Sequence, residues 1–159
     1  MKIAIGADHA GYELKEKVRR WLVQHGIEVD DLGTNSSESV DYPDYARAVA
    51  EEVSRKDADF GILVCGSGIG MAIAANKVPG VRAAHVSSEQ EAELSRAHND
   101  ANVLTLGARI LNEHDAFQIL DAWLGTPFAG GRHQRRVDKI AEIEREEAQK
   151  TGIAATKPV

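Results

Sequence analysis

The stretch Ile62-Leu63-Val64-Cys65-Gly66-Ser67-Gly68-Ile69-Gly70-Met71 runs a short apolar segment into a glycine-rich loop and then into a helix-like pattern. Strand, loop and helix in that order place Cys65, the only cysteine, at the carboxyl end of a strand. There a parallel sheet opens its ligand crevice. Amides following the strand, near a helix amino terminus, can face an anion or a developing oxyanion. A thiol beside a ring of amide donors points to chemistry on a small oxygen-rich substrate. Other readings of the loop fail at one letter. A P-loop needs a lysine after its second glycine, and none follows Gly70. A dinucleotide fingerprint needs glycine at position 71, and a Cys-x5-Arg phosphatase loop needs arginine there; the residue is Met71. The plain alternative is a packed cysteine beside a tight turn, because free cysteine is among the most buried residue types. The loop alone leaves these two readings balanced.

The whole composition narrows the setting. A chain of 159 residues, 43% hydrophobic, suits one domain with a proper core. Aromatics make up only 5%, so that core rests on Ile, Leu, Val and Ala. A net charge of -6 argues against nucleic acid as a partner. No apolar stretch approaches membrane-spanning length, so no membrane partner is expected. The start Met1-Lys2-Ile3-Ala4-Ile5-Gly6 reads as a strand and not as a signal peptide. One cysteine makes no internal disulfide, which fits a reducing cytoplasm.

Strand patterns fall at residues 3–6, 27–32, 60–64, 82–86 and 103–106. Helical stripes alternate with them: Leu14, Val18, Trp21 and Leu22, then Ala46, Val49, Ala50 and Val53. Further helices are predicted over residues 69–77, 89–98 and 116–124. This alternation predicts an α/β fold, a single doubly wound domain with a five-stranded parallel sheet flanked by helices. After a Pro- and Gly-bearing break at 125–131, a charged helix is expected from about Gln134 to Gln149. Its apolar stripe, Val137, Ile140 and Ile143, is narrow and is expected to pack on a partner subunit as well as on its own sheet. The domain is expected to span residues 1–149, with 150–159 as a flexible tail.

In such a fold the polar residues beyond each strand form the site. Asp8-His9-Ala10-Gly11 follows the first strand, Asp41-Tyr42-Pro43 ends the loop after the second, and Cys65 opens the third. His98-Asn99-Asp100 ends the helix after the fourth strand, Arg109 follows the fifth, and Arg132-His133-Gln134-Arg135-Arg136 opens the last helix. Each has an ordinary explanation. Asp8 can cap a helix, Tyr42 can pack a loop, and Arg132 and Arg136 share a face that usually meets solvent. In an acidic chain, however, that basic cluster is a local exception, and a guanidinium fork binds phosphate in bidentate fashion. No metal is expected, because the histidines lie far apart and lack ligand spacing. A serine-hydrolase Gly-x-Ser-x-Gly elbow is absent as well.

The segments Gly6-Ala7-Asp8-His9-Ala10-Gly11, Asp41-Tyr42-Pro43, Cys65-Gly66-Ser67-Gly68-Ile69-Gly70, Ala74-Ala75-Asn76-Lys77, Ser95-Arg96-Ala97-His98-Asn99-Asp100-Ala101-Asn102 and Gly130-Gly131-Arg132-His133 together resemble the type B ribose-5-phosphate isomerase family. That family also includes allose-6-phosphate and galactose-6-phosphate isomerases. The resemblance runs from about Met1 to Glu144. It implies a Rossmann-like sheet and a homodimer, with a tetramer left open, whose sites draw residues from both subunits. It also implies aldose–ketose isomerisation of a sugar phosphate with neither metal nor cofactor. Family members carry either a cysteine or a glutamate elsewhere in the site as base; Cys65 places this chain beside the cysteine branch. Ser67 stands where many relatives have threonine.

By the same resemblance, His98 opens the furanose ring. The Cys65 thiolate, favoured by nearby amides, moves the C2 proton to C1. Amides from Gly66 through Gly68 to Gly70 hold the cis-enediolate, and Ser67 shuttles a proton between its oxygens. Asp8, Tyr42 and Asn99 position hydroxyls, while His9, Arg109, Arg132 and Arg136 grip the phosphate. Ribose 5-phosphate is the first substrate expected. A six-carbon sugar phosphate is the alternative, and a non-catalytic phosphosugar-binding domain, which needs no reactive thiol, is the less favoured one.

Overall fold

Three apolar runs that alternate no polar face become the centre of a sheet, because a strand covered by helices on both sides has no wet side. They are β1 (Lys2–Ala7), β3 (Phe60–Cys65) and β5 (Val103–Gly107). The shorter β2 (Glu28–Asp31) and β4 (Ala83–His85) flank them, giving the order β2-β1-β3-β5-β4 with all pairings parallel. The computed structural model describes residues 1–151, with side chains up to Lys150. Most of the expected tail, residues 152–159, therefore lies outside the described residues.

Helices alternate with the strands: α1 (Tyr12–Gln24), α2 (Tyr42–Ser54), α3 (Ile69–Ala75), α4 (Glu89–Asn99), α5 (Glu113–Gly125) and α6 (Arg132–Thr151). The expected doubly wound α/β architecture is the one observed, with shifted boundaries that have local causes. α5 begins earlier than its apolar stripe because Asn112 accepts the Asp115 amide as an N-cap. α3 ends at Ala75, short of Lys77. The Asn76 side chain instead pairs with the backbone of Ala83, donating to its carbonyl and accepting its amide. Among the described residues, no helix is long and apolar enough to cross a membrane.

The pleat of β3 divides the core. Ile62 and Val64 pack with Leu14, Val18, Ile119, Leu120 and Trp123 on the α1–α5 face. Leu63 and Cys65 pack with Val49, Ala50, Met71 and Ala75 on the α2–α3 face. Of the buried charges Asp8, Lys15 and Arg96, the most enclosed is Lys15. Lys15 has no exposed surface, and its Nζ lies 2.7 and 2.8 Å from the two carboxylate oxygens of Asp31. Asp31 also accepts the Gly33 amide at 3.0 Å, so the pair pins the exit of β2 to α1.

Deleting one side of this pair is unequal to deleting the other. Asp31→Ala leaves a buried ammonium with its main partner gone and is expected to cost about 3 kcal/mol. Lys15→Met leaves a carboxylate that still reaches solvent and the Gly33 amide, at a cost of about 1 kcal/mol. Urea denaturation of both variants checks this, and equal losses would contradict it.

Candidate active site

The ends of β1 and β3 lie side by side, where strand order changes direction and a doubly wound sheet opens a crevice. A cleft of about 400 Å³ sits there, lined by Asp8, His9, Tyr42, Cys65, Ser67 and Arg109, with Gly66 and Gly70 in its floor. That volume suits a small metabolite.

Most wall residues follow a strand end, and Tyr42 stands at the start of α2. Asp8 is buried and its Oδ1 accepts the Gly11 amide at 3.0 Å, closing the turn into α1. Gly11 has no room for a side chain, since a Cβ there would run into the Val64 carbonyl. His9 accepts the Val40 amide through Nδ1 at 3.1 Å, so the neutral ring carries its proton on Nε2 and offers a donor. Tyr42 opens α2, and its ring lies on Gly70, where a Cβ would come within 2.7 Å of Cζ.

The Cys65 loop is tighter still. Cys65 is only 4% exposed, and its Sγ accepts the Gly68 amide at 3.1 Å. Gly68 takes a φ of +82°, the left-handed region that favours glycine. The Ile69 amide turns back to Ser67 Oγ at 3.2 Å. Arg109 spreads its guanidinium over Gly66, close enough that a Cβ there would sit 3.1 Å from it.

His98, Asn99, Arg132 and Arg136 are not in this cleft. α4 leads into the start of β5, so its carboxyl end, with His98 and Asn99, lies at the amino edge of the sheet. Cys65 lies at the carboxyl edge. The His98 ring stacks on His133, with centroids 4.2 Å apart and planes 9° from parallel. Arg132 and Arg136 stand beside them, exposed on the first turns of α6. The Ala129 amide donates to the Ala97 carbonyl at 3.0 Å, which ties the segment before α6 to α4. A single chain thus carries two clusters: thiol, tyrosine and Arg109 at one end, paired imidazoles and arginines at the other.

Gly68 is buried behind the cleft and shapes the loop without lining it. Thr105 and Ile110 carry no functional signal in the sequence. Ile110 lines the cleft mouth and is 64% exposed, but one apolar residue after a strand carries no sequence signal. Thr105 reads as an ordinary strand residue by β-propensity.

Residues 3–140 match the ribose/galactose isomerase family. The chain is 52% identical over 143 residues to ribose-5-phosphate isomerase B of Escherichia coli (strain K12), covering 90% of this chain and 96% of that protein. Ribose-5-P isomerase B of Listeria innocua is 48% identical, covering 91% and 97%. Among solved structures, ribose-5-phosphate isomerase B of Clostridium thermocellum superposes with a TM-score of 0.92 at 52% identity, covering 92% of this chain and 99% of that one. The Mycoplasma genitalium ribose-5-phosphate isomerase B, solved with bound ribulose-5-phosphate, gives a TM-score of 0.88 at 46% identity, covering 91% and 97%.

The stacked imidazoles have a measurable signature. Desolvation, together with the neighbouring His98, Arg132 and Arg136, holds His133 below the usual histidine range, so it stays neutral to lower pH than a free histidine. His98→Ala removes the stacked ring and one neighbouring charge. The His133 titration followed by NMR is therefore expected to move up toward the ordinary value; a further fall would contradict the assignment.

Proposed function

The chain belongs to the ribose/galactose isomerase family, and from that premise we propose that it interconverts ribose 5-phosphate and ribulose 5-phosphate, with Cys65 as the base. The observation that supports this most directly is the Cys65 thiol, aimed by the Gly68 amide into a cleft that also holds a hydroxyl, a phenol and a guanidinium. In the open aldose, the thiolate takes the C2 proton and the electron pair moves into the C1–C2 bond. The C1 oxygen becomes the enediolate oxyanion. Gly68 and Ile69 amides already serve Cys65 and Ser67, so the oxyanion falls to the amides of Gly66, Ser67 and Gly70. The Ser67 hydroxyl carries a proton from O2 to O1. The thiol then returns its proton to C1, leaving the ketone at C2. Asp8, Tyr42 and Asn99 hold hydroxyls, and His9, Arg109, Arg132 and Arg136 hold the phosphate, which orients the reacting carbons.

His98 opens the sugar ring in this reading, yet it stands at the far end of its own sheet from Cys65. A two-fold pairing of antiparallel chains resolves the separation, because it sets the amino edge of one sheet against the carboxyl edge of the other. We therefore assign the working unit to a homodimer in which His98, Asn99, Arg132 and Arg136 of one protomer complete the Cys65 cleft of its partner. The exposed Ile69 and Ile73 of α3, beside the Cys65 loop, supply apolar surface for such a contact.

Cys65→Ala is expected to lower kcat about a thousandfold while sugar-phosphate binding survives; near-normal turnover sinks Cys65 as base. Cys65→Ala and His98→Ala, each inactive alone, are expected to recover about a quarter of wild-type activity when mixed and allowed to exchange subunits. Half of the dimers are then mixed, and each mixed dimer holds one intact site. No recovery after exchange, confirmed by mass spectrometry, means that the two residues do not meet across an interface. A comparison of kcat/KM on ribose 5-phosphate, allose 6-phosphate and galactose 6-phosphate is expected to favour ribose. A higher value on either six-carbon sugar reassigns the substrate.

A further inference from the structure

β5 is apolar along Val103-Leu104-Thr105-Leu106-Gly107 except for one buried hydroxyl. Thr105 has no exposed surface, and its Oγ1 donates to the Gly68 carbonyl at 2.9 Å. The amide on the other side of that same peptide unit is Ile69, which donates to Ser67 Oγ at 3.2 Å. One peptide plane thus has a threonine hydroxyl at its carbonyl end and the Ser67 oxygen at its amide end. Hydrogen bonds in such a chain polarise one another in a low-dielectric interior.

Two further contacts bear on the assignment. The Gly68 carbonyl also accepts the Ala72 amide, at the longer distance of 3.2 Å. Thr105 Oγ1 lies 3.4 Å from His85 Nδ1. A hydroxyl has one proton, and here it goes to Gly68, so the imidazole is the donor in that pair. The loop has little slack, because a Cβ on Gly68 would press on the His85 ring and on the Leu106 backbone.

We propose that Thr105 is a positioning residue for Ser67. It fixes the peptide between residues 68 and 69 so that Ser67 Oγ accepts from Ile69 and keeps its own proton for the substrate. The proposal rests on the reading of Ser67 as the proton shuttle. A threonine's hydroxyl does this, and valine of nearly the same shape does not.

The test is steady-state kinetics on Thr105→Val and Thr105→Ser, each made in the wild-type chain and in Ser67→Ala. In the wild-type chain, Thr105→Val is expected to lower kcat about fivefold with KM nearly unchanged. Thr105→Ser is expected to restore kcat. In Ser67→Ala, Thr105→Val should cost nothing further, since the group it orients is gone. An unchanged kcat in Thr105→Val overturns the proposal, as does an equal loss in both backgrounds. A loss that Thr105→Ser does not restore, accompanied by a raised KM and a lowered Tm, shows a merely structural threonine and also overturns it. If Ser67→Ala alone leaves kcat at the wild-type value, the shuttle reading is what fails, and the role of Thr105 falls with it.

Discussion

The left-handed turn at Gly68 is the constraint on which the carboxyl edge of the sheet depends. Only a residue without a Cβ enters that conformation at little cost, and here the space is closed as well by His85 and Leu106. From that one turn the Gly68 amide points back at Cys65 Sγ and the Gly68 carbonyl points across at Thr105. β5 meets the loop with a second glycine, because a Cβ on Gly107 would collide with the Ser67 carbonyl. Two glycines on neighbouring segments therefore let loop and strand lie against each other, and the conformational freedom lost is offset by hydrogen bonds at both ends of the loop.

This packing explains how Cys65 can be nearly buried and still line a cleft. Its side chain follows the pleat of β3 toward α2 and α3, while the chain turns away immediately afterwards. One edge of the sulfur is left facing the gap between the ends of β1 and β3. The polar wall residues arrive from other strands. Asp8 and His9 leave β1, and Arg109 leaves β5, so two strand ends place these groups with no flexible loop between. The exception is His9, whose ring is oriented by the Val40 amide. The segment between β2 and α2 thereby reaches the cleft through backbone and not through a side chain.

Much of this was legible in the sequence, and the rest was hidden for identifiable reasons. Central parallel strands are covered on both faces, so β1, β3 and β5 read as unbroken apolar runs. The edge strands β2 and β4 are shorter than their apolar patterns, and each has a neighbour on one side only. The Cys65 loop was readable because glycine spacing records backbone geometry. His98-Asn99-Asp100 carried no sign of which edge of the sheet it occupies. A helix in this fold runs back against the strands, so its end lies opposite the strand ends. In sequence nothing separates it from Asp8 and Cys65, whereas the folded chain sets it beside His133. Thr105 was invisible for the opposite reason: its position is ordinary, and only its hydrogen bond to Gly68 marks it.

The separation of the two clusters follows from the same topology that makes the cleft. Every βα turn emerges at one edge of a parallel sheet, and every αβ turn emerges at the other. A thiol in a βα turn and an imidazole in an αβ turn cannot meet within one such domain of this size. Moving His98 into a βα turn would bring it to Cys65, but it would also crowd an edge already filled by Tyr42, Arg109 and a tightly packed glycine loop. Under the proposed two-fold pairing the crowding disappears, since the second chain brings its αβ edge to a cleft that is open on that side. The basic cluster fits the same logic. Arg132 and Arg136 stay well away from Arg109 within their own chain, and under the proposed pairing a phosphate dianion would hold these like charges together. In that arrangement the anion itself is what makes gathering arginines from both protomers at one end of the cleft electrostatically favourable.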